Sequence, residues 1–203
     1  MFTSLPLMMG LVDKIQDNLP GYITSANTAL ASLFADGSDF FGVENIRTFK
    51  FEEYREGIEE AAAKDSPVMY MWEESKGQER SHYHNRIYGV TIRMDLIIAG
   101  DTTIDIKRGT WDETNQQYRQ KVVAEELGTN IRWQLNTLTD LLVEKVLNNP
   151  DESDKRIYWN SKQVGLPGNF EGVEYPESVT IERAHTVRAT TRMTYPVIGG
   201  RGG

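Results

Sequence analysis

His82-Tyr83-His84 holds two imidazoles at the i, i+2 spacing that places both on one face of a strand, and Glu73, Glu74 and Glu79 precede them across a hairpin. Two histidines and a carboxylate are a donor set for a divalent transition metal. The plainer expectation is a solvent-exposed pair in a polar hairpin, because the third histidine, His185, lies a hundred residues away. That expectation is preferred, so no metal and no cofactor is assigned. The carboxylate pairs Glu52-Glu53, Glu59-Glu60 and Glu125-Glu126 carry general acid and base chemistry only if buried together, and their context reads as solvated helix surface. The chain contains neither G-x-x-x-x-G-K-[ST] nor G-x-S-x-G, and Gly165-Leu-Pro-Gly-Asn-Phe-Glu-Gly172 is turn chemistry without a following lysine. No catalytic residue is assigned, and a non-enzymatic protein is expected.

Two strands carry the more informative residues. In Arg86–Ile98, the residues Tyr88, Val90, Ile92, Met94, Leu96 and Ile98 share one face at the two-residue period, while Gly89, Thr91, Arg93 and Asp95 share the other. Val179–Tyr195 repeats the pattern, with Val187, Ala189, Thr191, Met193 and Tyr195 on an apolar face and Thr186, Arg188, Thr190, Arg192 and Thr194 opposite. Each strand therefore predicts one core face and one charged face.

The other elements must position these strands. Leu7–Leu19 and Ser25–Phe34 read as two short helices separated by Pro20-Gly21, and Phe51–Lys64 as a surface helix stopped by Ser66-Pro67. Val68–Trp72 is a short strand, and EESKGQERSHYHN a long loop leading into the Arg86–Ile98 strand. Asp112 or Thr114 caps a following helical region broken near Gly128. Ile131, Leu135, Leu138, Leu142 and Val146 then form the clearest amphipathic stripe of the chain, ending at Asn148-Asn-Pro150, and this helix is expected to cover the sheet. Residues 151–178 read as a long loop with one brief strand at Ile157–Trp159.

The fold class that follows is α+β: a mixed, mainly antiparallel sheet covered by an amphipathic helix, in an α-β-β-α-β order with extra N-terminal helices. The chain divides into an N-terminal helical extension packed on the core (1–50), the α+β domain (51–198) and a flexible Gly-rich tail (199–203).

With 203 residues, of which 39% are hydrophobic, the chain is long enough to bury a core. Thirty acidic against twenty-two basic residues give a net charge of −8, which disfavours a dedicated nucleic-acid binder. Without cysteine it holds no disulfide, so stability rests on packing or on partner subunits. The apolar start, Met1–Gly10, lacks the basic region of a signal peptide and is expected to be a cytosolic N-terminus, and no window is long and apolar enough for a membrane helix.

Charge is unevenly spread. Residues 51–80 carry nine acidic and four basic side chains, while residues 179–203 carry one acidic and four basic. An acidic flank and a basic strand face can pair head to tail and close a ring. The alternative is that Arg93, Asp95, Arg188 and Arg192 cross-pair within the chain. Trp133 lies about 200° from Ile131 on a helical wheel at about 100° per residue, so it points away from the sheet, as an intersubunit anchor or into a second core with the N-terminal helices. Arg93, Asp95, Trp133, Arg188 and Arg192 are the candidate subunit or partner interface.

Ser66-Pro-Val-Met-Tyr-Met71, Tyr88-Gly-Val-Thr-Ile-Arg-Met-Asp-Leu96, Asn130-Ile-Arg-Trp-Gln-Leu135 and Val187-Arg-Ala-Thr-Thr-Arg-Met-Thr-Tyr195, in this order, resemble the tail terminator family of long-tailed bacteriophages over roughly residues 51–195. The resemblance implies a structural virion protein that forms a hexameric ring, caps the tail tube, stops its polymerisation and joins it to the head connector. It implies as partners further copies of the chain, tail tube protein and connector or neck proteins, with DNA passing through the lumen unbound and no membrane contact. The implied location is the tail-neck region of the virion, assembled in the host cytoplasm. A head-completion neck protein, a small metal-dependent enzyme using His82 and His84, and an adaptor binding peptide at a sheet edge are the competing readings.

Overall fold

The computed structural model describes residues 4–31, 41, 43–55, 65–82, 85–100, 105–124, 127–175, 179–181 and 184–199. Helix α1 spans Leu5–Leu30. Strands β1 (Thr48–Lys50), β2 (Val68–His82), β3 (Asn85–Gly100), β4 (Asp105–Asp112) and β5 (Gln117–Ala124) follow. Helix α2 runs from Leu127 to Asp140 and continues as π turns over Leu141–Leu147. The chain closes with β6 (Ile157–Trp159), β7 (Lys162–Gly165), β8 (Asn169–Glu174), β9 (Val179–Ile181) and β10 (Ala184–Gly199).

The main sheet has the order β1-β2-β3-β10-β8, with β9 also pairing β10. Every pairing in it is antiparallel except β1 with β2, so the expected α+β class with a mainly antiparallel sheet holds. The two-residue period works as expected. Val90, Ile92, Met94, Leu96 and Ile98 of β3, with Val187, Ala189, Met193 and Tyr195 of β10, enter one core. Helix α2 covers that face against β3 and β10. Its stripe, Ile131, Leu135, Leu138, Leu142 and Val146, is buried throughout. In the π turns, closed by Asn148 N–H to Val143 O at 2.8 Å, Val143 and Leu147 are buried beside Leu142 and Val146.

Four expectations need correction. The N-terminus is one helix, not two, because Leu7, Leu11, Ile15, Leu19 and Ile23 form a single buried stripe running through Pro20. A proline in a helix interior costs about 3 kcal/mol, whereas burying Leu19 and Ile23 contributes about 1.5–3 kcal/mol each. Helix α1 packs on the π turns and on β6 and β7, close enough at Gly10 that an added Cβ would meet Tyr158 O at 2.6 Å. Residues 32–34 of the second expected helix lie outside the described residues.

Second, the polar stretch after Trp72 is not a loop: β2 continues through it to His82, paired with Asn85. Third, residues 105–124 form the hairpin β4–β5 in place of a helix. Trp111 and Tyr118 are register partners in the ladder and Gln116 takes a positive φ of 49° in the turn, so a strand-turn-strand sequence rich in β-forming residues overrides the capping signal at Asp112 and Thr114. Fourth, residues 151–178 hold not only β6 but also β7 and β8, the latter pairing with β10 as an outer strand of the main sheet. Of the expected helix at Phe51–Lys64, residues 51–55 are not helical, and the remainder lies outside the described residues, as do His84 and the tail from residue 200.

Candidate functional site: a charged sheet face and an exposed tryptophan

The second face of the sheet brings together four of the five candidate residues. Arg93 of β3 and Arg192 of β10 stand directly opposite each other in the ladder, an arrangement in which like charges repel. The repulsion is resolved by Glu74, which reaches both. Its carboxylate accepts from Arg192 Nε at 3.1 Å and lies 3.6 Å from Arg93 Nη1. The register of β2 shifts between Glu73 and Ser75, so Glu74 is the extra residue of a bulge, a device that re-aims a side chain. Arg192 Nη1 donates to Glu174 of β8 at 2.8 Å. Below them Thr91 and Thr194 share a hydrogen bond of 2.8 Å, and Thr194 donates to Glu171.

Asp95 lies deeper, with a side chain 1% exposed. Arg93 Nε approaches Oδ1 at 3.4 Å and Arg188 Nη1 lies 3.8 Å from Oδ2. Thr190, directly across the ladder, lies near the carboxyl without completing a hydrogen bond of normal geometry, and Oδ2 has no hydrogen-bond donor. Burial pushes the Asp95 carboxyl above its ordinary value, against the opposing effects of Thr190 and the Arg93 and Arg188 cations.

Aromatic rings complete the face. Arg93 stacks over Trp72 at 5.1 Å and Arg188 over Tyr54 at 4.6 Å. Tyr54 meets Tyr70 edge-on at 5.3 Å, and Lys50 lies 5.5 Å from the Tyr70 ring. Val68, Tyr70 and Ile97 form a small second apolar cluster beneath. The three arginines are thus engaged within the chain, each about one quarter exposed, and Glu74, Glu174 and Asp95 match them charge for charge. This is the cross-paired arrangement, and the strand face does not stand as a free basic surface.

Trp133 sits elsewhere. It is on the outer side of α2 and 38% exposed, so it points away from the sheet as its wheel position predicts and does not enter a second core. Seven and eleven residues along the same helix, Asp140 and Glu144 are also exposed. Neither makes a salt bridge among the described residues. Burial and the nearby Glu144 both raise the Asp140 pKa.

Glu74 and Glu174 were not legible as members of the charged face, because a bulge has no simple sequence signature and β8 was hidden in a loop-like composition. No group of three or more His, Asp or Glu with metal-binding geometry occurs among the described residues. Of His82 only the backbone, in β2, is described, and Glu74 is occupied by the two arginines. No helix of the described residues is long and apolar enough to cross a membrane. No protein-family model matches the chain, and no curated protein does so either.

Proposed function

We propose that the chain is a non-enzymatic structural protein of a bacteriophage tail, a terminator that assembles as a hexameric ring on the last ring of the tail tube, stops its polymerisation and presents a surface to the head connector. In this reading it belongs to the tail-neck region of the virion, is assembled in the host cytoplasm, and lets DNA slide through its lumen without holding it, as a net charge of −8 favours. The observation that carries the reading is the β4–β5 hairpin. Its two strands pair with each other and with no other described strand, and among the described elements neither strand makes extensive contact except with the other. A two-stranded hairpin alone is marginal in water, so it needs a neighbouring surface, which a ring supplies. The exposed Trp133 adds an aromatic anchor of the kind enriched at subunit contacts.

Light scattering across protein concentration, with electron-microscopy class averages of the same sample, tests this. A six-membered ring with an open centre, and tail tubes of fixed length when tube protein polymerises in its presence, is the expected result. A defined dimer, or a monomer that forms no ring when tail tube is added, overturns it. Rings that bind portal-side connector and ignore tube protein identify a head-completion neck protein instead.

A further inference from the structure

The register of β4–β5 sorts its residues into two faces. Residues directly opposite in an antiparallel ladder share a face, as do residues two apart along a strand. Arg108 pairs with Lys121 and Thr110 with Arg119, which places three cations in the middle of one face, with Asp112 near the turn. Trp111 and Tyr118, with Lys107 and Val122, belong to the other. Strands of eight residues reach about 26 Å at roughly 3.3 Å per residue, far enough to cross a subunit boundary.

The outer side of α2 offers the complement. Trp133, Asp140 and Glu144 follow one another at spacings of seven and four residues, which keeps them on one side of the helix. Tyr175, just beyond β8 and 39% exposed, lies near enough to Asp140 to feel its charge. Arg132 and Lys145 stand beside this stripe and not in it. Two copies that each carry −8 repel overall, so an association surface requires local charge complementarity.

We infer that the β4–β5 hairpin is an intersubunit arm whose cationic face, Arg108, Arg119 and Lys121, lies against Trp133, Asp140 and Glu144 on α2 of a second copy of this chain. The hairpin ends at Ala124 and α2 begins at Leu127, so each copy carries both arm and receiving surface, and the contact is heterologous, as a closed ring requires. The inference rests on the ring reading and names the surfaces that close the ring.

The test uses the full chain and charge reversal. Arg108→Glu with Lys121→Glu, and separately Asp140→Lys with Glu144→Lys, are each expected to weaken ring formation by at least about tenfold, since each sets like charges against one another across the contact. Combining all four changes in one chain restores the ring. As a second measurement, Arg108→Cys with Asp140→Cys in this cysteine-free chain yields covalent ladders with a short bis-maleimide cross-linker, without reliance on the reversed variants. A wild-type chain that stays monomeric removes both the ring reading and the arm. Intact rings in the charge-reversed chains, or no cross-link between positions 108 and 140 in formed rings, overturn the arm and leave the ring reading standing. Unchanged mass together with lost retention of double-stranded DNA in Arg108→Glu/Lys121→Glu overturns it as well, in favour of a nucleic-acid surface.

Discussion

The side-chain amide of Asn45 donates to the carbonyl of Gln16 at 3.2 Å, and Gln16 is the residue whose helical partner would have been the N–H that Pro20 lacks. The connection between α1 and β1 thus takes up an acceptor left open by the proline. Asn45 Oδ1 is itself occupied by the Ile46 N–H at 2.8 Å, which orients the amide. Asn45→Ala is expected to lower stability by about 1 kcal/mol in chemical denaturation. In a Pro20→Ala background, where an alanine N–H serves Gln16, the loss should shrink by at least half. Equal losses in the two backgrounds would show that the amide and the proline are not coupled.

Gly168 lies against the ring of Tyr195, where an added Cβ would stand 2.5 Å from Cε1 and 2.7 Å from Cδ1. Tyr195 is fully buried and donates its hydroxyl to Met193 Sδ at 3.3 Å, so displacing the ring disturbs both that hydrogen bond and the core around it. Gly168→Ala should cost about 1–3 kcal/mol by overpacking. Adding Tyr195→Leu should recover part of that cost in the same thermal melt. An unchanged Tm for Gly168→Ala would contradict the close approach.

Asp95 carries a pKa raised above the ordinary 3.8, first because it is buried. The folded state therefore binds its proton more tightly than the unfolded state, and the group's unfavourable contribution at neutral pH fades as pH falls from the raised value toward 3.8. Asp95→Asn removes this one titration whatever its fixed effect on Arg93 and Arg188. The stability of Asp95→Asn relative to wild type should accordingly be greatest at neutral pH and decline on acidification. A relative stability that rises with acid would mean that the two arginines hold the carboxyl below its usual range.

Arg192 links Glu74 of β2 to Glu174 of β8 across the charged face. Because the pair with Glu174 is largely solvated, the coupling in an Arg192→Ala, Glu174→Ala cycle is expected at about 0.2–1 kcal/mol and to fall in high salt. A coupling of several kcal/mol that survives salt would require the face to be covered in solution.

Trp133→Ala should leave the thermal stability of the isolated chain within about 0.5 kcal/mol, since an exposed side chain away from the core contributes little. Self-association should weaken by about tenfold or more if the indole is an interface anchor. A loss of about 3–5 kcal/mol in thermal stability, the cost of truncating a buried tryptophan, would place Trp133 in a core, against its 38% exposure.

Periodicity by itself determined the two faces of β3 and β10 and the buried stripe of α2, because alternation at two residues and repetition near 3.6 are local properties of the backbone. It also placed Trp133 outward and put Arg93, Asp95, Arg188 and Arg192 on one face. The continuity of α1 through Pro20 was decided by burial of Leu19 and Ile23, which outweighs a local breaker only when a core is present to receive them. The β4–β5 hairpin and β8 were hidden because polar residues accept strand geometry once a ladder partner exists, and partners are chosen at long range. Glu74 joined the arginines through a bulge, and the charged face was neutralised within the chain. Strand register and bulge position depend on which strands meet, so tertiary structure alone decided what that face can do.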